Sequence, residues 1–198
     1  TGLSLHKRGY RTMVSKAPIK ETLAAALLML TPWHKDRILV DPFCGSGTFP
    51  IEAAMMAANI APGMNRSFTA EKWTNFVGRK YWYGAIDEAN DLVDDQIETD
   101  IQGYDIDGDI IKAARQNARE AGVDHLIHFQ QRPLSELSHP KKYGFIISNP
   151  PYGERISTNN LLGLYQMIGE RLKHAFIGNT AWVLSYREEG FDQIGLKP

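Results

Sequence analysis

Two rhythms of apolar residues alternate along the chain. LAAALLML (23–30) sits in a stretch, KETLAAALLML, that reads as a helix. Ser15 can cap it with Pro18 in its first turn, and Thr31-Pro32 stops it. RILVD (37–41) is a short β-rich run that empties into a glycine loop. TFPIEAAMMAANI (48–60) reads as a helix with Pro50 in its first turn and Pro62-Gly63 beyond its end. IQGYD (101–105) is a second strand. GDIIKAARQNAREAG (108–122) is amphipathic, with Ile110, Ile111, Ala114, Ala118 and Ala121 on one face and Gly122 as its stop. LIHFQQ (126–131) and GFIISN (144–149) follow as strands, the second almost continuously apolar, as a buried parallel strand should be. Asn160 to Ala175 places Leu161, Leu164, Tyr165, Ile168 and Leu172 on one helical stripe, and TAWVLS (180–185) is a fifth strand.

Strands alternating with helices of this length predict an α/β fold with an open, doubly wound, mostly parallel sheet. Ligands of such sheets sit at the carboxyl ends of the strands, where the strand order reverses. The chemistry is therefore expected at four junctions: Asp41 to Thr48, Asp105 to Asp107, Gln131 to Leu134, and Asn149 to Tyr152. Residues 62–99 break the rhythm. They carry Trp73, Phe76, Tyr81, Trp82 and Tyr83, then an acidic run, and read as an excursion between the first of these strands' helix and the second strand.

The chain has 198 residues, 43% hydrophobic and 23% charged, ordinary values that exclude disorder and fibrous architectures. Its longest apolar run is eight residues, too short to span a bilayer. Cys44 is the single cysteine, so no internal disulfide can form and a reducing, cytoplasmic setting is expected. The six histidines form no HExxH and there is no CxxC, so no metal site is expected. A net charge of −1 conceals an asymmetry. Residues 1–20 hold Lys7, Arg8, Arg11, Lys16 and Lys20 and no acid, whereas residues 87–109 hold ten acids and no Lys or Arg. The basic segment could meet phosphate; a solvated face is the competing reading.

DPFCGSGT (41–48) sits where a strand ends and a helix opens. Gly45 and Gly47 permit a sharp turn and a close approach of backbone to ligand. A P-loop would need Lys-Ser/Thr after its last glycine, and Thr48-Phe49 stand there. A dinucleotide fingerprint would need glycine at Pro50 and an acid about 20 residues on, whereas Asp105 lies 58 residues beyond Gly47. S-adenosylmethionine remains. Its only anion is a carboxylate, which suits a tight loop before a helix N-terminus. Asp41 can meet its ammonium and Asp105 can accept from its ribose hydroxyls. A tight structural turn is the other reading of this loop. Cys44 within it has no basic neighbour placed by sequence and reads as a small packed residue rather than a nucleophile.

The fourth strand ends in Asn149-Pro150-Pro151-Tyr152. Two consecutive prolines remove two backbone donors but stiffen the loop. A stiff loop can aim the Asn149 side-chain oxygen and the Pro150 carbonyl into one pocket. Two acceptors so placed can hold both hydrogens of an exocyclic –NH2 and turn its lone pair toward a methyl donor. Tyr152 offers a face for stacking a planar substrate such as an extruded base. A packed Pro-Pro-Tyr turn is the bland alternative.

Together, DPFCGSGTFPIEAA, GYDID and SNPPYGER resemble motifs I, II and IV of class I S-adenosylmethionine-dependent amino-methyltransferases. LHKRGYR with KAPIKETLAAALL resembles that group's motif X. The combination is similar to the bacterial 23S rRNA guanine-N2 methyltransferases of the RlmL type, which are often labelled N6-adenine-specific DNA methylases. The resemblance implies a Rossmann-like class I methyltransferase fold. It implies that Asp41, Phe43, Gly45, Gly47 and Asn149 contact the cofactor, that Asp105 binds ribose, and that Ile106 packs on adenine. It further implies that Asn149, Pro150 and Tyr152 hold the target amine, and that Lys7, Arg8 and Arg11 with Tyr152 meet the RNA. Many methyltransferases bind the adenine amine with an acid after the third strand; Gln131-Arg132-Pro133-Leu134 stand here, and that role is left unassigned.

The sheet resembled has seven strands, the last two a hairpin beside the fifth, so the five counted here leave the fifth with an open edge. Residues 1–14 are expected to be a basic lead-in from a preceding THUMP-type RNA-binding domain, and 15–198 the catalytic domain. The expected partner is 23S rRNA or its precursor, with no membrane. NPPY presents the same two acceptors to adenine N6 in DNA or to a glutamine amide, and a catalytically silent RNA-binding module is the reading of another class.

Overall fold

In the computed structural model, residues 2–12, 18–139, 142–151, 158–185 and 188–197 are described. Five strands, β1 (Leu39–Asp41), β2 (Ile101–Asp105), β3 (Ile127–Gln131), β4 (Phe145–Ser148) and β5 (Thr180–Val183), form one sheet in the order β3-β2-β1-β4-β5. Every pairing is parallel, with Asp41 beside Gly103 and Asp105 beside Gln131. The order reverses between β1 and β4, which sets the switch point there.

Side chains of successive strand residues leave opposite faces, and the core divides accordingly. Leu39, Phe145 and Ile147 join one cluster with Ala24 and Leu28 of α1 (Glu21–Leu30), Ile51 of α2 (Thr48–Ala57), and Ile111 and Ala114 of α4 (Gly108–Glu120). Val40, Tyr104 and Ile146 join the other with Ile168 of α5 (Thr158–His174). The stripe expected on α5 is the buried one: Leu161, Tyr165 and Ile168 are in the core and Leu164 and Leu172 pack against it. Asp107 caps α4, accepting from the Asp109 and Ile110 amides.

Three expectations are corrected. α1 begins at Glu21, with Lys20 as its N-cap and no side-chain cap. Pro18 and Ile19 precede the helix, and Glu21 in its first turn pairs with Arg11 at 3.7 Å. Ser15 lies outside the described residues. β1 is shorter than 37–41, because the Arg37 amide closes a turn onto the His34 carbonyl at 2.9 Å. α2 stops at Ala57, and Asn59 follows with φ 55°. A helix with too short an apolar pattern to predict, α6 (Glu188–Ile194), packs on α5 where Gly169 leaves room for the Ile194 carbonyl.

The 62–99 stretch carries a single 3-10 turn, Thr69–Lys72, and α3 (Arg79–Asp91). It is rooted at the end of α2 remote from the glycine loop: the Asp94 amide donates to the Ala58 carbonyl at 2.9 Å, and Asn59 Nδ2 donates to the Leu92 carbonyl at 2.9 Å. Among the described residues no helix is long and apolar enough to cross a membrane, and no group of three His, Cys, Asp or Glu could hold a metal ion.

Candidate active site

A cavity of about 530 Å³ opens at the carboxyl ends of β1, β2, β3 and β4, around the switch point. Asp41, Phe43, Gly45, Asp105, Ile106 and Asn149, six of the residues singled out in the sequence, line it. Gly47 stands behind the wall. It is the N-cap of α2 at φ 87°, and a Cβ there would lie 2.9 Å from Phe129 Cζ. Glycine is thus required by both backbone and space. Gly47 offers no side chain to cap α2, and no acid occupies the helix's first turn. Its N-terminal amides and dipole face an anion without competition.

Asp105 ties two strand ends together. Its Oδ2 accepts from the Gly45 amide at 3.1 Å and its Oδ1 from the Asp107 amide at 3.0 Å. Each oxygen retains a lone pair for a ligand. Asp41 is 1% exposed and, among the described residues, accepts from the Phe43 amide at 3.1 Å. Burial pushes its carboxyl up to about 8; the Phe43 bond opposes this and the nearby Asp105 charge adds to it. Burial also raises Asp105, against the bonds from Asp107 and Gly45. A site that concentrates two reluctant carboxylates favours a ligand bearing positive charge and hydroxyl donors. Burial and both carboxylates drive the Cys44 thiol well above its ordinary range, so Cys44 is a buried thiol and no nucleophile.

The NPPY segment is placed in part. Asn149 is half-buried and lines the cavity with Pro151, while Pro150 is buried beneath it. Tyr152 lies outside the described residues. The basic segment is placed differently from expectation. Arg8 reaches Glu52 of α2 at 3.4 Å, and the buried Tyr10 hydroxyl donates to the same carboxylate at 2.9 Å. Arg11 donates to Thr48 Oγ1 at 2.7 Å and to the Ile19 carbonyl at 2.9 Å, besides its pairing with Glu21. Neither arginine lines the cavity; both neutralise acids of the domain. Of the three expected phosphate contacts, Lys7 is exposed and Arg8 and Arg11 are part-buried.

Part of the wall was given no role in the sequence. Pro18 and Ile19 flank the cavity, and so do Arg132, Pro133, Leu134 and Ser135 after β3. The signal was present, since Gln131 to Leu134 is a strand-end junction, but no acid marked it. Ser46 supplies a further clue: its hydroxyl is buried at the cavity wall and has no partner among the described residues.

The family model described as "RMKL-like, methyltransferase domain" matches residues 8–191. The fold and the site thus define a methyltransferase domain, and the chain belongs to that family. It is 43% identical over 203 residues to the ribosomal RNA large subunit methyltransferase K/L of Shewanella woodyi, covering all of this chain and 28% of that protein. It superposes with a TM-score of 0.93 on SMU.472 complexed with SAH, at 42% identity, covering 100% of this chain and 51% of that one. It superposes with a TM-score of 0.91 on a predicted N6-adenine-specific DNA methylase from Listeria monocytogenes, at 44% identity, covering 98% and 50%. The chain therefore spans about half the length of these structures, and less of the Shewanella protein.

Proposed function

We propose that this domain binds S-adenosylmethionine and methylates an exocyclic amine of ribosomal RNA, guanine N2 in 23S rRNA. One observation carries the reading: two raised carboxylates, an uncapped helix N-terminus and the Asn149 side chain meet in one cavity, with Pro150 next in the chain. The cofactor supplies an electrophilic methyl on a cationic sulfur. Its charges suit the residues present. Asp41 would meet the ammonium, Asp105 the ribose hydroxyls, and the first-turn amides of α2 the carboxylate. Phe43 and the 72% exposed Ile106 offer apolar surface for an adenine ring. The partnerless Ser46 hydroxyl fits a polar ligand atom as well.

Asn149 and Pro150 act on the acceptor. Their oxygens take one hydrogen each from the amine, which draws the nitrogen lone pair out of conjugation with the base. The new N–C bond forms as the S–C bond breaks, with the bonding pair staying on sulfur. The nitrogen then carries the positive charge, and the surplus proton passes to water. Positioning and charge complementarity supply the rate, without a strong base. Tyr152 stacks on the extruded base and Lys7 meets phosphate. RNA is favoured over DNA by the Shewanella relative's name, and the Listeria structure's name keeps adenine N6 as the second reading. The lone buried Cys44 suits a reducing compartment, so the cytoplasm is the setting proposed. The resemblance is the ground for proposing a THUMP-type RNA-binding domain elsewhere in the whole protein; the relatives are longer than this chain.

The test is parallel incubation of labelled S-adenosylmethionine with unmodified total rRNA and with unmethylated DNA, followed by nucleoside analysis. Label in N2-methylguanosine is expected. Label appearing only in N6-methyladenine of DNA, or in no nucleic acid, overturns the substrate assignment.

A further inference from the structure

The 62–99 stretch presents a run of exposed aromatic residues. Trp73 is 57% exposed, Phe76 89% and Tyr81 73%. They do not serve its internal packing. That is done from the other side by Trp82, which meets Phe68 edge to face with ring centres 5.9 Å apart. Isolated exposed apolar residues are ordinary, but large aromatics crowded within nine residues of sequence mark an interaction surface.

The charges around them are sorted. Between Lys72 and Tyr83 there are three cations, Lys72, Arg79 and Lys80, and no acid. All three are exposed, and none takes part in an ion pair among the described residues. Arg8 and Arg11 are the contrast, since both are held on buried acids. Arg79 and Lys80 also occupy the first turn of α3, where cations oppose the helix dipole and acids would stabilise the fold. Their placement works against α3 and in favour of an external anion.

From this we infer that the Lys72–Tyr83 surface binds single-stranded RNA flanking the methylated nucleotide, with bases stacked on Trp73, Phe76 and Tyr81. This rests on the reading of the domain as an RNA methyltransferase. Interleaved aromatics and cations are the recognition chemistry of unpaired nucleic acid: stacking takes any base and the cations track phosphate. An anionic membrane or an acidic protein could meet the same cations, but the proposed reading of this chain's family gives it an RNA substrate, and RNA uses rings and cations together. The acids farther along α3, Asp87, Glu88 and Asp91, repel the strand and confine it to the first half of the helix. None of the six residues lines the cavity, and the stretch is rooted at the far end of α2. The surface therefore holds RNA beside the target rather than the target itself.

The test uses the chain as it stands, with a fluorescent single-stranded RNA oligonucleotide at several salt concentrations. Two variants are compared with wild type: Trp73→Ala with Phe76→Ala, and Lys72→Gln with Arg79→Gln and Lys80→Gln. The aromatic pair should weaken RNA binding ~10-fold or more and keep its salt dependence. The triple variant should flatten the slope of log affinity against log salt by about two. Both should keep wild-type cofactor affinity, and neither should lower thermal stability, the triple variant raising it slightly as cations leave the first turn of α3. On a long rRNA transcript both should raise KM and spare kcat, and on a short fragment carrying only the target they should change neither. Wild-type RNA affinity and KM in both variants would overturn the assignment while leaving methylation intact. So would loss of self-association in sedimentation, or of vesicle binding, in place of RNA binding. The opposite failure is separable: a wild-type chain that binds RNA through this surface yet methylates none leaves the surface standing and removes the methyltransferase reading.

Discussion

Asp105 Oδ2 accepts the Gly45 amide at 3.1 Å, so the carboxylate assigned to the cofactor's ribose also holds the glycine loop in shape. Its other oxygen holds the turn into α4 through Asp107. Asp105→Ala should therefore weaken S-adenosylmethionine binding by ~1.5–3 kcal/mol, the range for a lost bond to a charged group, and should also lower the melting temperature. Asp105→Asn, which can keep one acceptor in place, should recover stability better than affinity. Calorimetry with an unchanged cofactor affinity in Asp105→Ala would remove the ribose assignment.

Asp41 makes a prediction about protons. With its carboxyl at about 8 because of burial, it is mostly protonated at pH 7. A cation bound against it restores the ionised form, so cofactor binding at pH 7 should release up to roughly 0.9 proton from this group. Titrations in buffers of different ionisation enthalpy measure this directly, and Asp41→Asn should abolish that part. Without ligand, the unfolded chain loses the Asp41 proton near the ordinary value of 3.8, well before the folded chain does. Stability on this residue's account is therefore full below that value and falls as pH rises toward about 8. Denaturant melts at pH 5 and pH 8 should show the loss, and Asp41→Asn should flatten it.

The parts of this molecule legible in the sequence are those where one local signal suffices. Short β-rich or nearly continuous apolar runs marked all five strands, and the 3.6-residue period marked the α4 and α5 faces. Asp41, Asp105 and Asn149 were legible because each ends a strand, and parallel topology brings strand ends together. Arg8 and Arg11 were misjudged for the opposite reason. Their partners, Glu52 and Glu21, lie 44 and 10 residues away, and nothing in a run of cations says which acids the fold will bring to them. The junction after β3 was located but its residues were given no role, because Pro133 and Leu134 line the cavity by shape and carry no charge to announce one.

Asn117 shows how such long-range contacts reach the site. It is fully buried on α4, accepts the Thr12 amide at 3.1 Å and donates Nδ2 to the Ser46 carbonyl at 3.1 Å. It thereby fastens the N-terminal segment to the glycine loop. Asn117→Ala leaves the Ser46 carbonyl without this donor, a loss of ~1–3 kcal/mol of stability. Because the loop, not the acceptor pocket, is disturbed, the cofactor KM should rise while kcat at saturation changes little. A kcat loss without a KM effect would place Asn117 outside loop positioning.

The amine clamp gives the sharpest kinetic split. Asn149 faces the cavity at the end of β4, and Pro150 and Pro151 fix the chain that follows it. The Asn149 oxygen gains most as charge develops on the attacking nitrogen, so its removal raises the barrier more than it weakens ground-state binding. By analogy with the loss of one preorganised hydrogen-bonding group at a reacting centre, Asn149→Ala should lower kcat on rRNA by ~10²–10³-fold. Cofactor affinity, read by calorimetry, should fall far less. Asn149→Asp keeps an oxygen acceptor and should retain more turnover than Asn149→Ala, even though it adds charge. Tyr152→Ala should act mainly on the RNA KM, with Tyr152→Phe tolerated because the stacking face survives. Wild-type turnover in Asn149→Ala would show that the amine is held by other groups, and a parallel fall in cofactor affinity and kcat would show that Asn149 serves binding alone.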